Sequence, residues 1–147
     1  MSTNSVLIVD DESGIRQLLV RWLSAEGYEL REAPDAETAV EELLKKPADV
    51  VMCDIEMPGQ GGLWLAGEIP RRFPTSAIVL ATGVDSVPPV TSMQPAVVEY
   101  LVKPFKRDRV LNAVSKGIQW HDKAATRASK SGGDPDGVGN WLDSIDK

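Results

Sequence analysis

At 147 residues with 42% hydrophobic content, the chain suits one compact domain with a sizeable core. A net charge of −6 with no basic cluster argues against direct nucleic-acid binding, and the single cysteine excludes an internal disulfide framework. The start, Met1 to Ser5, has neither part of a signal peptide, and no apolar run approaches the ~20 residues that span a bilayer. A soluble cytoplasmic protein with no membrane partner is expected.

The first element is a strand over 5–10, built on Val6, Leu7, Ile8 and Val9 and ending in Asp10 and Asp11. After Ser13 and Gly14, Ile15, Leu18, Leu19, Trp22 and Leu23 recur at the spacing of one helix face, and Gly27 ends that helix. Leu19, Trp22 and Leu23 are read as core. A second strand follows at 28–33. Pro34 and Asp35 start a helix whose inner face is Ala36, Ala39, Val40, Leu43 and Leu44, and Pro47 stops it.

The third strand, 48–54, contains Cys53, read as a core residue rather than a reactive thiol, and ends in Asp54. A helix at about 62–72 carries Leu63, Leu65, Ala66 and Ile69. The fourth strand, 76–82, ends in Thr82 and Gly83. Pro88, Pro89 and Pro95 then limit any helix before the next strand to about two turns. The fifth strand, 97–102, leads into Lys103, Pro104 and Phe105. A last helix, from about 106 to beyond 120, carries Val110, Leu111, Val114 and Ile118. His121 on it is read as a surface residue, and Trp64 and Trp120 as partly buried. From about Ser129 the composition turns to Ser, Gly and Asp, so a domain over 1–128 and a flexible tail or linker over 129–147 are expected. The tail's end, Trp141 to Ile145, suits a docking peptide, the stub of a further domain, or a disordered terminus.

Strands alternating with helices imply right-handed βαβ crossovers and a parallel sheet. Five such units make an α/β, doubly wound, flavodoxin-like three-layer sandwich with strand order 2-1-3-4-5. Ligands bind such sheets beyond the carboxyl ends of the strands, where the winding reverses between strands 1 and 3. Asp10, Asp11 and Asp54 fall at that place. Carboxylates gathered at the ends of buried strands repel one another. A cation resolves the repulsion, and hard oxygen donors select Mg²⁺ or Ca²⁺. Thr82 adds a hydroxyl, Lys103 an ammonium suited to phosphate, and Gly83 leaves room for a bulky group. These groups describe a phosphoryl site in which a carboxylate is the nucleophile and an acyl phosphate forms.

Four segments carry a family likeness: Val6 to Glu12, Asp54 to Gly62, Leu80 to Gly83, and Tyr100 to Phe105. In that order and spacing, residues 5–120 resemble a CheY-like receiver domain of two-component response regulators. The resemblance implies that Asp54 is the phosphoacceptor and that Asp54, Thr82 and Lys103 form the catalytic set. It implies Mg²⁺ held by Asp11 and Asp54 directly, with the Glu56 backbone carbonyl, while Asp10 acts mainly through water. Lys103 would pair with Asp54 at rest and with a phosphoryl oxygen after modification. Thr82 and Tyr100 would form the conformational switch, and the Lys103–Pro104 peptide would be cis. The phosphoryl donor would be a sensor histidine kinase or a histidine phosphotransfer protein. The output partner is unspecified, and a phosphorylation-dependent homodimer is compatible with the family. No enzymatic activity is implied beyond self-phosphotransfer and autodephosphorylation.

The chain departs from the family pattern in its prolines over 84–96 and in Pro95-Ala96, where a Gly-Ala type turn is usual. This bears on partner choice and dimer geometry. Glu56 and Val84 occupy positions that influence dephosphorylation in the family. A receiver module cut from a larger multidomain regulator or hybrid kinase is an equivalent reading of the same residues. Two others are weaker. An aspartyl-phosphate hydrolase of the haloacid dehalogenase type needs a second acid two residues past the nucleophile, and Glu56 is longer than the usual aspartate. A flavodoxin-like FMN binder needs hydroxyls and amides in the first loop, where this chain has Asp10, Asp11 and Glu12.

Overall fold

The computed structural model describes residues 3–83 and 95–132. Within them the chain runs β1 (Ser5–Val9), α1 (Ser13–Ser24), β2 (Glu29–Ala33), α2 (Ala36–Lys45), β3 (Val50–Asp54), α3 (Gly62–Arg72), β4 (Ala77–Thr82), β5 (Val97–Val102) and α4 (Arg107–Gly132). The strands form one sheet in the order β2-β1-β3-β4-β5, and each neighbouring pair is parallel. This is the expected doubly wound α/β sandwich.

The near-continuous apolar runs of β1, β3 and β4 reflect a sheet covered on both faces. Successive side chains alternate between two cores. Leu7, Val9, Val51, Cys53, Ile78 and Leu80 face Ala36, Ala39 and Leu43 of α2 and Leu65, Ala66 and Ile69 of α3. Val6, Ile8, Val50, Met52, Ala77 and Val79 face Leu19 and Leu23 of α1 and Val110, Ala113 and Val114 of α4. Helix α4 lies close against β3 because residue 117 is glycine: a Cβ there would meet Val50 Cγ2 at 2.8 Å. Asp35 caps α2 by accepting from the Thr38 N–H at 2.7 Å. Pro70 sits in the last turn of α3, where its missing N–H leaves the Ala66 carbonyl without its helical donor.

Three readings of the sequence need correction. Leu44 is exposed, because α2 turns its inner face through Ala36, Ala39 and Leu43, and the next position rotates toward solvent. Trp22 is half-buried at the edge of the stripe made by Leu19 and Leu23. His121 is not a free surface residue. Its Nδ1 lies 2.6 Å from the Thr75 carbonyl and its Nε2 3.2 Å from Asp49 Oδ1, so it joins α4 to the amino-terminal rim of the sheet. Trp64 and Trp120 are partly buried, as expected.

Helix α4 continues to Gly132, past the change of composition at Ser129. The proline-rich stretch 84–94 and the tail from 133 lie outside the described residues. Among the described residues, no helix is long and apolar enough to cross a membrane.

Candidate functional site

β1 and β3 are neighbours, in register from Val6–Val50 to Val9–Cys53. Their carboxyl ends therefore deliver Asp10 and Asp54 side by side. Carboxylate oxygens of Asp10, Asp11 and Asp54 lie within 4.8 Å of one another. Asp10 and Asp54 are buried, whereas Asp11 is exposed. Three hard oxygen donors at that separation fit a divalent cation.

Asp10 is held at each of its polar groups. Its N–H continues the sheet ladder to the Ala33 carbonyl at 3.1 Å. Its carbonyl accepts from Arg16 Nη1 at 2.6 Å. Its Oδ1 accepts from the Glu12 N–H at 2.9 Å, and its Oδ2 lies 3.1 Å from Lys103 Nζ. Asp54 is similarly divided: Oδ1 accepts from the Glu56 N–H at 3.1 Å, and Oδ2 from Lys103 Nζ at 3.1 Å. Among the described residues, no side chain bonds the Asp11 carboxylate.

Lys103 reaches the pocket from the end of β5. Its N–H donates to the Thr82 carbonyl at 2.8 Å, which extends the β4–β5 ladder by one rung, and the Lys103–Pro104 peptide is cis, as expected. The ammonium also meets Glu12 Oε1 at 3.2 Å, so one cation serves three carboxylates. Burial works against its charge, but hydrogen bonds to Asp10 and Asp54 outweigh this and hold the Lys103 pKa well above the usual lysine value. Burial likewise pushes the Asp54 pKa up, against the lowering effect of the Glu56 amide and Lys103. Cys53, one residue earlier, is fully buried, and desolvation followed by the Asp54 charge pushes its thiol up to about 12. It is a core residue, as read from the sequence.

Thr82 is fully buried at the end of β4, opposite Val102. Tyr100 lies two positions before Val102 on β5, opposite Leu80, and is half-buried against the α2–α3 core. The structure thus brings Asp10, Asp11, Asp54 and Lys103 into direct proximity, with Thr82 on the adjoining strand end. The Glu56 carboxylate is exposed and stands apart from the acidic group. It accepts from the Gly83 N–H at 3.0 Å and so bridges the loops after β3 and β4.

Sequence reasoning missed Arg16, the side-chain role of Glu12, and the Glu56–Gly83 bridge. Glu12 had one signal. It stands at the N-cap of α1, where a shorter side chain is favoured, and it makes no capping bond.

A family model described as the response regulator receiver domain matches residues 6–115. The DNA-binding transcriptional regulator NtrC of Escherichia coli (strain K12) is 32% identical over 124 residues, 84% of this chain and 26% of that protein. The response regulator protein FleR of Pseudomonas aeruginosa is 33% identical over 112 residues, 76% of this chain and 24% of FleR. This chain spans about a quarter of the length of these relatives. The solved structure of the response regulator protein TrrA of Thermotoga maritima, in complex with Mg²⁺–BeF, is 38% identical. It has a TM-score of 0.72 and covers 78% of this chain and 99% of its own.

Proposed function

The chain belongs to the family of response regulator receiver domains, and from that premise we propose that Asp54 accepts a phosphoryl group and thereby switches a signalling output. One observation carries the reading. Lys103 Nζ lies 3.1 Å from both Asp10 Oδ2 and Asp54 Oδ2, beside Asp11, at the carboxyl edge of the sheet. A nucleophilic carboxylate, a cation and further acids share one mouth.

An Asp54 oxygen attacks the phosphorus of a phosphohistidine on a sensor histidine kinase or phosphotransfer protein. The P–N bond breaks, its electron pair stays on the imidazole nitrogen, and a P–O bond to Asp54 forms. Burial makes the Asp54 carboxylate more basic and so a better nucleophile, while Lys103 and the Glu56 amide favour its ionised form. Lys103 then follows the charge onto a phosphoryl oxygen, and the Thr82 hydroxyl binds another. Asp11 and Asp54, the Glu56 carbonyl and, through water, Asp10 would hold Mg²⁺, which when bound neutralises charge on the transferring group. The Mg²⁺–BeF complex of TrrA supports this choice of ion.

Thr82 and Tyr100 act as the switch pair, linking the modified site to the β5 edge. No turnover of an external substrate is part of this reading. The Glu56 carboxylate is turned toward the Gly83 N–H and stands outside the group formed by Asp10, Asp11 and Asp54, which does not favour a role as the second acid of a phosphohydrolase. A cytoplasmic setting and an output partner or second copy at the β5 edge complete the proposal. As with NtrC and FleR, the module can serve within a longer regulator.

The test is direct. The chain is incubated with a small phosphodonor and Mg²⁺, and its intact mass is measured. One phosphoryl adduct is expected, absent in Asp54→Ala and without Mg²⁺. A full-strength adduct in Asp54→Ala overturns the assignment.

A further inference from the structure

We propose that Arg16 is a positioning residue for the metal corner, acting through the backbone of Asp10. The inference deepens the proposed function and rests on it. Arg16 lies one turn into α1, and its side chain is only 17% exposed. Its Nη1 donates to the Asp10 carbonyl at 2.6 Å, and its Nε donates to Glu32 Oε1 on β2 at 3.0 Å. One guanidinium thus braces the bend between β1 and α1 against the neighbouring strand.

The contact matters because the Asp10 carbonyl belongs to the peptide that joins Asp10 to Asp11. Fixing its plane fixes where the chain leaves β1 and where Asp11 begins. Asp10 Oδ1 is tied to the Glu12 N–H, which closes the same turn from the other side. Asp11 has no side-chain bond of its own among the described residues. Its approach to the pocket is therefore set by the backbone on either side of it. Arg16 holds one side of that backbone and the Asp10–Glu12 turn holds the other.

The guanidinium fork explains the residue type. Two donors, Nε and Nη1, diverge toward two acceptors at once, which an ammonium on a flexible stem does not reproduce. Groups that orient metal ligands from behind change metal affinity by about 10–100-fold when removed.

The sign of the effect separates this role from electrostatics. Arg16 is a cation near a cation site. Its charge alone opposes Mg²⁺, so a purely electrostatic role requires Arg16→Ala to bind Mg²⁺ more tightly. A positioning role requires the opposite.

The experiment compares wild type, Arg16→Ala, Arg16→Lys and Glu32→Gln. Mg²⁺ affinity is measured by calorimetry, and exchange of the Glu12 amide hydrogen by NMR without metal. We expect Mg²⁺ affinity to fall at least about ten-fold in Arg16→Ala. A smaller fall is expected in Arg16→Lys and Glu32→Gln. Glu12 amide exchange should accelerate in the same order. Unchanged or tighter Mg²⁺ binding in a folded Arg16→Lys or Arg16→Ala overturns the proposal, as does unchanged Glu12 exchange. Failure of the wild type to bind Mg²⁺ overturns the proposed function, and the inference with it.

Discussion

Lys103 reaches Asp54 across 49 positions of sequence, from the first residue past β5 to the last residue of β3, with Nζ 3.1 Å from Oδ2. The same ammonium satisfies Asp10, so it occupies charge that a metal ion would otherwise neutralise.

Replacing Lys103 with Met leaves two buried carboxylates facing each other. We expect the metal-free variant to lose roughly 1–3 kcal/mol of stability, the scale of hydrogen bonds to charged groups. Mg²⁺ should stabilise the variant more than the wild type. Thermal denaturation with and without Mg²⁺ checks this, and equal shifts in both proteins would show that ion and ammonium do not compete.

Asp10 and Asp11 are neighbours with opposite expectations. Asp11 is exposed and unbonded by side chains among the described residues, so Asp11→Asn should change stability by less than about 0.5 kcal/mol while weakening Mg²⁺ binding sharply. Asp10 is buried and fixed by Glu12 and Lys103. Asp10→Asn should cost roughly 1–3 kcal/mol as well as affinity. Denaturant melts paired with Mg²⁺ titrations separate the two effects, and a large loss of stability in Asp11→Asn contradicts the assignment.

Burial raises the folded-state pKa of Asp54 above the ordinary 3.8. The protonated acid therefore favours folding. That contribution is complete below the ordinary value and is lost as pH rises through the raised one. Asp54→Asn, which stays uncharged, should be more stable than wild type at neutral pH. The difference should shrink as pH falls toward the ordinary carboxylate range. Denaturant unfolding at several pH values measures it, and a gap that widens on acidification refutes the sign.

Gly62 opens α3 directly against the backbone of Asp54. A Cβ there would stand 2.5 Å from the Asp54 carbonyl oxygen and 2.9 Å from its carbonyl carbon, both backbone atoms that cannot swing aside. Gly62→Ala should lose roughly 1–3 kcal/mol and slow labelling of Asp54. Gly67 is the control: it lies in the same helix with nothing within 4 Å of its Cβ position. Gly67→Ala should gain roughly 0.5–1 kcal/mol with labelling unchanged. Loss of labelling in both variants would trace the effect to the helix as a whole.

The strands and their acidic ends were legible because they rest on local patterns, and the sheet order followed from the alternation of strands with helices along the chain. Short β-branched runs ending in Asp10-Asp11 and Asp54 name the strands and their functional ends together. The features that escaped rest on contacts between distant segments. Arg16 meets a backbone carbonyl, which leaves no mark on the side-chain pattern. His121 meets Thr75 and Asp49 only because α4 crosses the amino ends of β3 and β4. Leu44 looked internal because an apolar stripe drawn from sequence has no sharp edge, and one helical step of about 100° decides which side of it a residue takes.

Cys53 has a further use. Thiol reagents attack the thiolate, and a fully buried thiol pushed up to about 12 offers almost none at neutral pH. In the unfolded chain the same group returns to ordinary reactivity. The chain therefore carries a built-in clock of its own opening, one peptide bond from Asp54. Its rate of alkylation reads how often β3 is uncovered. A cation or an acyl phosphate that tightens the site will be recorded as a slower clock, with no probe attached.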